Sequence, residues 1–371
     1  MIPVNQPLIT SEDIMAVSNA MKSGWISSSG PILNEFEKKF SNFIGMKYCI
    51  AVSSGSAALD VAVKSLNLKK KDEVIMCNFT IVSNVLSIIR QSAKPVLVDC
   101  NLDDWNINIE QLKSKITKKT KAIMISHIYG FPVDMLEIKK ISKKFNIPVI
   151  EDAAEMIGNK IGKQYCGSFG DISIFSFYAN KHITTGEGGM ICTNNKKIFK
   201  KASALKNLCF GKINRFNHYD IGWNYRMTSL QAALGLSQLN RIKKIVKIKH
   251  KIGNYYYKNL KHEKKIILQK PQHNGLNNIY WVVGVLLKQS IKINALKIIK
   301  MLKKEKIEAR EFFWPINKQD FLKKNSDYKK KFENSEYLSK KGFYLPSGIG
   351  ISKKDMDYVI LKLKKILKKI Q

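Results

Sequence analysis

Tyr48-Cys49-Ile50-Ala51-Val52-Ser53-Ser54-Gly55-Ser56-Ala57-Ala58-Leu59 decides the fold. Five residues of apolar, strand-length sequence pass through a polar turn straight into a helix with apolar faces. The rest of the chain keeps that alternation. Strands are predicted over 48–52, 74–77, 95–98, 122–126 and 149–151, with amphipathic helical segments between them. That order predicts an α/β fold: a three-layer α/β/α domain whose mostly parallel sheet is covered on both faces. Strand-like segments at 172–177 and 189–193 extend the sheet. Upstream, Thr10 with Asp13 opens a helix that Gly24 closes, and Pro31 opens another that ends at Gly45. A long helix from 227 to about 249 leads from a large domain, residues 1–249, into a smaller C-terminal α+β domain, residues 250–371. The latter carries a strand at 280–287 and helices near 295–305 and 353–370. No internal repeat is visible.

Three segments within this frame carry chemistry. Ser54-Gly55-Ser56 offers the free N–H groups of a helix start, close approach at Gly55 and the Ser56 hydroxyl, a combination suited to a phosphate ester. Read alone it is weak, since many helices start this way and bind nothing. Pro148-Val149-Ile150-Glu151-Asp152-Ala153-Ala154-Glu155 ends a short buried strand in carboxylates, where open α/β sheets place their ligands. Asp152 suits the ring nitrogen of a pyridoxal cofactor, with a helix N-cap as the lesser alternative. Ser176-Phe177-Tyr178-Ala179-Asn180-Lys181-His182-Ile183-Thr184-Thr185-Gly186-Glu187-Gly188-Gly189 sets Lys181 between a strand and a glycine-rich turn. Burial there lowers an amine's pKa and frees a nucleophile that can hold an aldehyde cofactor as a Schiff base. A solvated loop lysine is the plain alternative; the acid and the phosphate cup weigh against it.

Together with Trp25-Ile26-Ser27-Ser28-Ser29-Gly30, Asp72-Glu73-Val74-Ile75, His127-Ile128-Tyr129-Gly130, Gly167-Ser168-Phe169-Gly170-Asp171 and Gly222-Trp223-Asn224-Tyr225-Arg226-Met227-Thr228, these segments resemble the DegT/DnrJ/EryC1/StrS family of pyridoxal-phosphate sugar aminotransferases, of fold type I, the aspartate-aminotransferase type. The resemblance runs almost end to end and is nearest to the perosamine synthases. It implies pyridoxal 5'-phosphate as cofactor, cycling through pyridoxamine 5'-phosphate, with Lys181 as the catalytic amine. It further implies Asp152 on the ring nitrogen, Glu155 beside the ring, and Gly55, Ser56 and Ser176 on the phosphate. Asn224 would reach the phosphate of the neighbouring subunit, so a homodimer with shared active sites is expected. Ile81 stands where relatives usually place an aromatic residue over the ring, and Asn317 where perosamine synthases often carry a histidine.

The implied reaction takes a nucleotide-linked 4-keto-6-deoxy sugar, GDP-4-keto-6-deoxy-D-mannose first among them, to its 4-amino-4,6-dideoxy product with L-glutamate as donor, in polysaccharide biosynthesis. UDP- or dTDP-4-keto-6-deoxyglucose and a 3-aminotransferase reaction are alternatives. Substrate contacts are expected at Trp25, Ser27, His182, Arg310, Phe313 and Ser347, residues that simple domain packing would explain as well. A related sugar 3-dehydratase has histidine in the lysine's place, and here Lys181 keeps it. A non-catalytic regulatory or nucleic-acid-binding protein on this fold is disfavoured because Lys181, Asp152 and the phosphate cup are all present.

With 371 residues, 44% of them hydrophobic, the chain can bury a full core. Apolar stretches such as 281–287 fall short of a membrane span, and Met1-Ile2-Pro3-Val4-Asn5 lacks the pattern of an export signal. Cys49, Cys77, Cys100, Cys166, Cys192 and Cys209 show neither paired nor metal-ligand spacing, so a cytoplasmic protein with reduced thiols and no metal is expected. The formal net charge of +35 is mostly lysine on amphipathic helices such as 352–371, with no nucleic-acid motif. Solvated faces account for it, and the resulting field would speed capture of a nucleotide-diphosphate sugar.

Overall fold

Alternate residues of the central strands point to opposite faces, and here both faces are apolar, so the sheet must be covered twice. In the computed structural model, which describes residues 1–211, 213–323 and 328–370, seven strands form it: β1 (Tyr48–Val52), β2 (Glu73–Cys77), β3 (Lys94–Val98), β4 (Thr120–Ser126), β5 (Val149–Asp152), β6 (Ile172–Ser176) and β7 (Gly189–Thr193). Their order is β1-β7-β6-β5-β4-β2-β3. Only β7 runs antiparallel to its neighbours, β1 and β6. Ile75, Ile123, Ile125, Val149, Phe175 and Met190 pack into one core with Phe36 and Phe40 of the helix Pro31–Ile44. Val74, Met76, Ala122, Met124, Ile150 and Ile174 pack on the other side, against Ala58, Val61 and Ala62 of the helix Gly55–Ser65. The expected three layers result.

The early helices start and stop where their capping residues place them. The Thr10 N–H donates to the Asp13 carboxylate (3.0 Å) ahead of the helix Ser11–Lys22. Gly45 closes the helix Pro31–Ile44 in the left-handed conformation at φ 77°. The single helix expected from 227 to 249 is instead two, Ser229–Asn240 and Ile242–Leu260, broken at Arg241. The cause is tertiary: the Arg241 guanidinium turns to the buried Asp13 carboxylate and to the Leu8 carbonyl. No local breaker residue marks the spot. The second helix straddles the expected domain boundary, with Ile242 and Ile245 in the large core and Ile252, Tyr256 and Leu260 in a separate one.

That separate core underlies a second sheet, β8 (Ile266–Leu268), β9 (Val283–Leu287), β10 (Arg310–Glu311) and β11 (Gly342–Leu345), in the order β8-β9-β11-β10 and antiparallel throughout. Helices Ala295–Lys304 and Lys353–Lys369 cover it. The strand expected at 280–287 begins only at Val283, because Tyr280 takes the left-handed φ of 55° and the chain bends at 281–282. The N-terminus also joins this unit: the Ile2 N–H bonds the Lys306 carbonyl (2.8 Å) and the Ile2 carbonyl accepts from Glu308 (3.0 Å). Gln371, the end of the expected lysine-rich face, lies outside the described residues. No helix among the described residues is long and apolar enough to cross a membrane.

Gly253 lies inside the helix Ile242–Leu260, and a Cβ there would meet Cγ of the Tyr280 ring at 2.1 Å. Helix propensity favours alanine over glycine by about 1 kcal/mol. Gly253→Ala is nevertheless expected to destabilise the protein by about 1–3 kcal/mol in urea unfolding, because the ring base cannot give way. A variant as stable as the parent would show that Tyr280 moves freely.

Candidate active site

β4, β5 and β6 end at one edge of the sheet, in Ser126, Asp152 and, further along, Ser176, and the helix Gly55–Ser65 starts beside them. Trp281, Phe313 and Tyr344 close the opposite wall, leaving a cavity of about 360 Å³ at the carboxyl edge of the parallel strands. At one end Ser54 caps the helix by accepting the Ala57 N–H (3.0 Å), while the N–H groups of Gly55 and Ser56 lie in the first turn, where helices have no internal acceptor. The Ser56 hydroxyl pairs with that of Ser83 (2.7 Å). A Cβ on residue 55 would come within 2.9 Å of the Ser176 Cβ, so glycine is what lets the helix start close on Ser176.

At the other end stand the ionisable groups. Lys181 Nζ lies 3.6 Å from Glu155 Oε1 and 3.7 Å above the centre of the Trp281 ring. Burial pulls the Lys181 amine below its ordinary value, opposed by the charges of Glu155 and Asp152. Burial pushes Glu155 up to about 7, against the pull of Lys181 and of the Tyr129 N–H, which donates to Oε2 at 2.7 Å. Asp152 is also raised by burial, with the Ala154 N–H, Lys181, Asn84 and His127 holding it back. No helix follows Asp152; its Oδ1 takes the Ala154 N–H (3.1 Å) in a turn, so it is not the helix cap that the sequence also allowed.

Behind Asp152, its neighbour Glu151 points to the other face of the strand and is fully buried. Its oxygens accept the N–H groups of Gly167, Phe169 and Gly170, the Ser173 hydroxyl and His127 Nε2 (3.1 Å). The Val133 N–H donates to His127 Nδ1 (3.0 Å), which leaves Nε2 as the protonated nitrogen and fixes the ring at the cavity wall. Sequence reasoning singled out neither residue. Two adjacent acids ending one strand were the available signal, because they must face opposite ways.

Of the residues expected from sequence, Gly55, Ser56, Ile81, Asp152, Glu155, Ser176, Lys181 and Phe313 line the cavity. The others do not. His182 is buried away from it, with Nδ1 3.3 Å from the Ile157 carbonyl. Ser347 is buried and its N–H bonds the Val4 carbonyl. Arg310 is exposed and pairs with Glu308 (3.2 Å). Asn317 is locked to Asn78 by two hydrogen bonds. Trp25, Ser27 and Asn224 are exposed outside the cavity, Asn224 opposite Asn207. Trp281, Asn180 and Ser83 were missed, the first because only the packing of the small unit brings it here; Tyr344, in the 344–347 stretch expected from sequence to meet the substrate, does line the cavity.

This set of side chains fits pyridoxal phosphate. Helix-start N–H groups and hydroxyls gather at one end, a carboxylate and a buried amine at the other, and Gly55 leaves the close approach to Ser176 that a Cβ would fill. A sequence profile of the DegT/DnrJ/EryC1/StrS aminotransferase family matches residues 7–364. The GDP-perosamine synthase of Escherichia coli O157:H7 is 36% identical over 358 residues, covering 96% of this chain and 96% of that protein. Helicobacter pylori PseC, an aminotransferase involved in the biosynthesis of pseudoaminic acid, superposes with a TM-score of 0.93 at 22% identity, over 99% of each chain. The E coli GDP-4-keto-6-deoxy-D-mannose-3-dehydratase with bound hydrated PLP gives 0.89 at 23% identity, over 98% of this chain and 99% of that one. These two likenesses show the shared fold.

Glu155 couples the site to stability. Between its ordinary 4.5 and about 7 the folded carboxyl keeps a proton that the unfolded one has lost, so stability is full below 4.5 and falls as pH rises through that window. In urea unfolding of cofactor-free protein, the parent should lose about 3 kcal/mol relative to Glu155→Gln between the two ends of the window. A difference that stays constant with pH would mean that Lys181 outweighs burial and keeps Glu155 ionised throughout.

Proposed function

Because the chain belongs to the DegT/DnrJ/EryC1/StrS aminotransferase family, whose members are pyridoxal-phosphate-dependent sugar aminotransferases, we propose that it transfers the amino group of L-glutamate to C4 of GDP-4-keto-6-deoxy-D-mannose, as a homodimer serving polysaccharide biosynthesis. The observation that carries this reading is the near full-length similarity to a GDP-perosamine synthase in a chain that keeps a buried amine, Lys181, in its cavity.

Bound in this cavity, pyridoxal phosphate supplies the electron sink that lets a carbon next to nitrogen lose and regain a proton. The start of the helix Gly55–Ser65, with the Ser56 and Ser176 hydroxyls, would hold its phosphate. Asp152 would pair with its ring nitrogen, and the turn bond from Ala154 keeps the carboxylate in place. Lys181 moves the proton. Its depressed pKa leaves the amine neutral more often than a surface lysine, so it can take a proton from the donor's α-carbon. As the ammonium it later returns one to the sugar carbon. Glu155 lies beside it, poised near neutrality to balance that changing charge. Trp281 walls one side of the amine, which restricts the face from which a proton can be delivered. Asn224, exposed on its own chain, suits a residue that acts in the partner's site.

Parallel incubations with glutamate and the GDP-, UDP- or dTDP-linked 4-keto-6-deoxy sugars, read by mass spectrometry, should give an amino sugar from the GDP substrate. Product from another nucleotide alone would reassign the substrate, and none from any would overturn the reading.

The dimer has its own test. Lys181→Ala and Asn224→Asp subunits should each be nearly inactive, the second because a carboxylate repels the phosphate. Mixed and allowed to exchange, they form one site with both residues intact, and activity should partly return. Exchange without recovery would confine Asn224 to its own chain.

A further inference from the structure

Lys249 is a buried lysine that the mechanism above leaves unused. It lies in the middle of the helix Ile242–Leu260 and is 2% exposed. Among the described residues no carboxylate pairs with it; its Nζ donates instead to the carbonyls of Trp281 (3.1 Å) and Ser347 (2.6 Å). Burial alone pulls its amine down to about 7. An ammonium held by carbonyls without a counter-charge costs more to bury than an apolar side chain of the same length. Its presence therefore points to a task other than stability.

Trp281 is where that task leads. The Lys181 amine sits over its indole face, and its Nε1–H donates to the carbonyl of Asn180, the residue before Lys181 (3.0 Å). Lys249 grips the backbone of the same tryptophan. On the other side, the Ser347 carbonyl that Lys249 holds belongs to a loop whose Pro346 carbonyl accepts from Tyr256 of the same helix (2.8 Å). One amine thus ties the helix, the Trp281 segment and the loop after β11 together, directly behind the platform on which Lys181 rests. We infer that Lys249 is a positioning residue for the transamination, fixing Trp281 so that its ring holds the Lys181 amine in the reactive place.

The inference rests on Lys181 being the catalytic amine, which the inactivity of Lys181→Ala tests separately. Lys249→Met keeps the length and removes the donors. It should lower kcat by about 30-fold, because a small misplacement of a catalytic group is costly. KM for the sugar should change less than about threefold, since the loss lies in proton transfer rather than binding. Thermal stability should fall only modestly, because the Trp281 and Ser347 carbonyls lose their donor while the cost of burying an ammonium is relieved. In the Trp281→Ala background the Lys249→Met change should add less than about a further threefold, because both act through one contact. Hydrogen exchange of the cofactor-free protein should quicken at 178–182 and 281–283 and stay unchanged in the sheet. A kcat within about twofold of the parent, or losses that multiply in the double variant, would overturn the inference. Should Lys249→Met fail to fold, Lys249→Gln, which retains a donor, decides by the same double-variant comparison. If Lys181→Ala remains active, the site reading fails instead.

Discussion

A lysine and two carboxylates are kept together out of water, and most of the molecule is arranged to make that tolerable. Isolated, any of these charges would neutralise on burial. Here Lys181 offsets Glu155 and Asp152, the Tyr129 and Ala154 N–H groups take up carboxylate lone pairs, and the Trp281 face receives the amine. The parallel sheet supplies the edge: β4 and β5 stop level with each other at Ser126 and Asp152, while β6 runs on past Ile174, the residue opposite Asp152, to Ser176. Glu151 supplies rigidity from behind, with backbone and side-chain donors pinning the 167–170 turn and His127 to a single carboxylate.

Much of this was legible in the sequence, for a reason that differs between sheet and site. The seven central strands read clearly because each is a short apolar run bounded by turn residues, and burial on both faces demands such runs. Lys181, Asp152 and Gly55 read clearly because each sits at the end or start of one of those elements, so placing the element places the residue. Where placement depended on a partner far along the chain, the reading failed. Nothing near Arg241 announces the helix break, since its cause is Asp13, 228 residues away. Trp281 carries no local mark of a cavity wall, and the small unit has to dock before it becomes one.

Sequence adjacency also misleads at short range. His182 follows Lys181 directly, yet the chain turns there, and the imidazole ends up against the Ile157 carbonyl with Nε2 buried and unpartnered. Burial, with the nearby charges of Lys249, Lys181 and His250, pushes its pKa far down, so it stays neutral. Asp152 and Glu151 show the same effect on a strand, one carboxylate entering the cavity and the other entering the core. Spacing argues for a shared site only when the periodicity of the element that carries it is taken into account.

The two halves of the cavity come from different parts of the chain, and that division bears on specificity. The sheet, the loop after β6 and the helix Gly55–Ser65 furnish the amine, the acids and the helix-start N–H groups, to which the proposed function gives the proton chemistry and the cofactor. The facing wall of Trp281, Phe313 and Tyr344 is aromatic and comes from the second unit, carried on short strands and loops. Phe313 is fixed there by the Tyr129 hydroxyl, which accepts its N–H at 2.8 Å, while the Tyr129 N–H holds Glu155. One residue therefore ties the aromatic wall to the acid of the proton-transfer site. On the reading proposed above, a change in the shape of that wall would reach Glu155 through Tyr129, so the choice of sugar and the chemistry performed on it would not be independent variables in this fold.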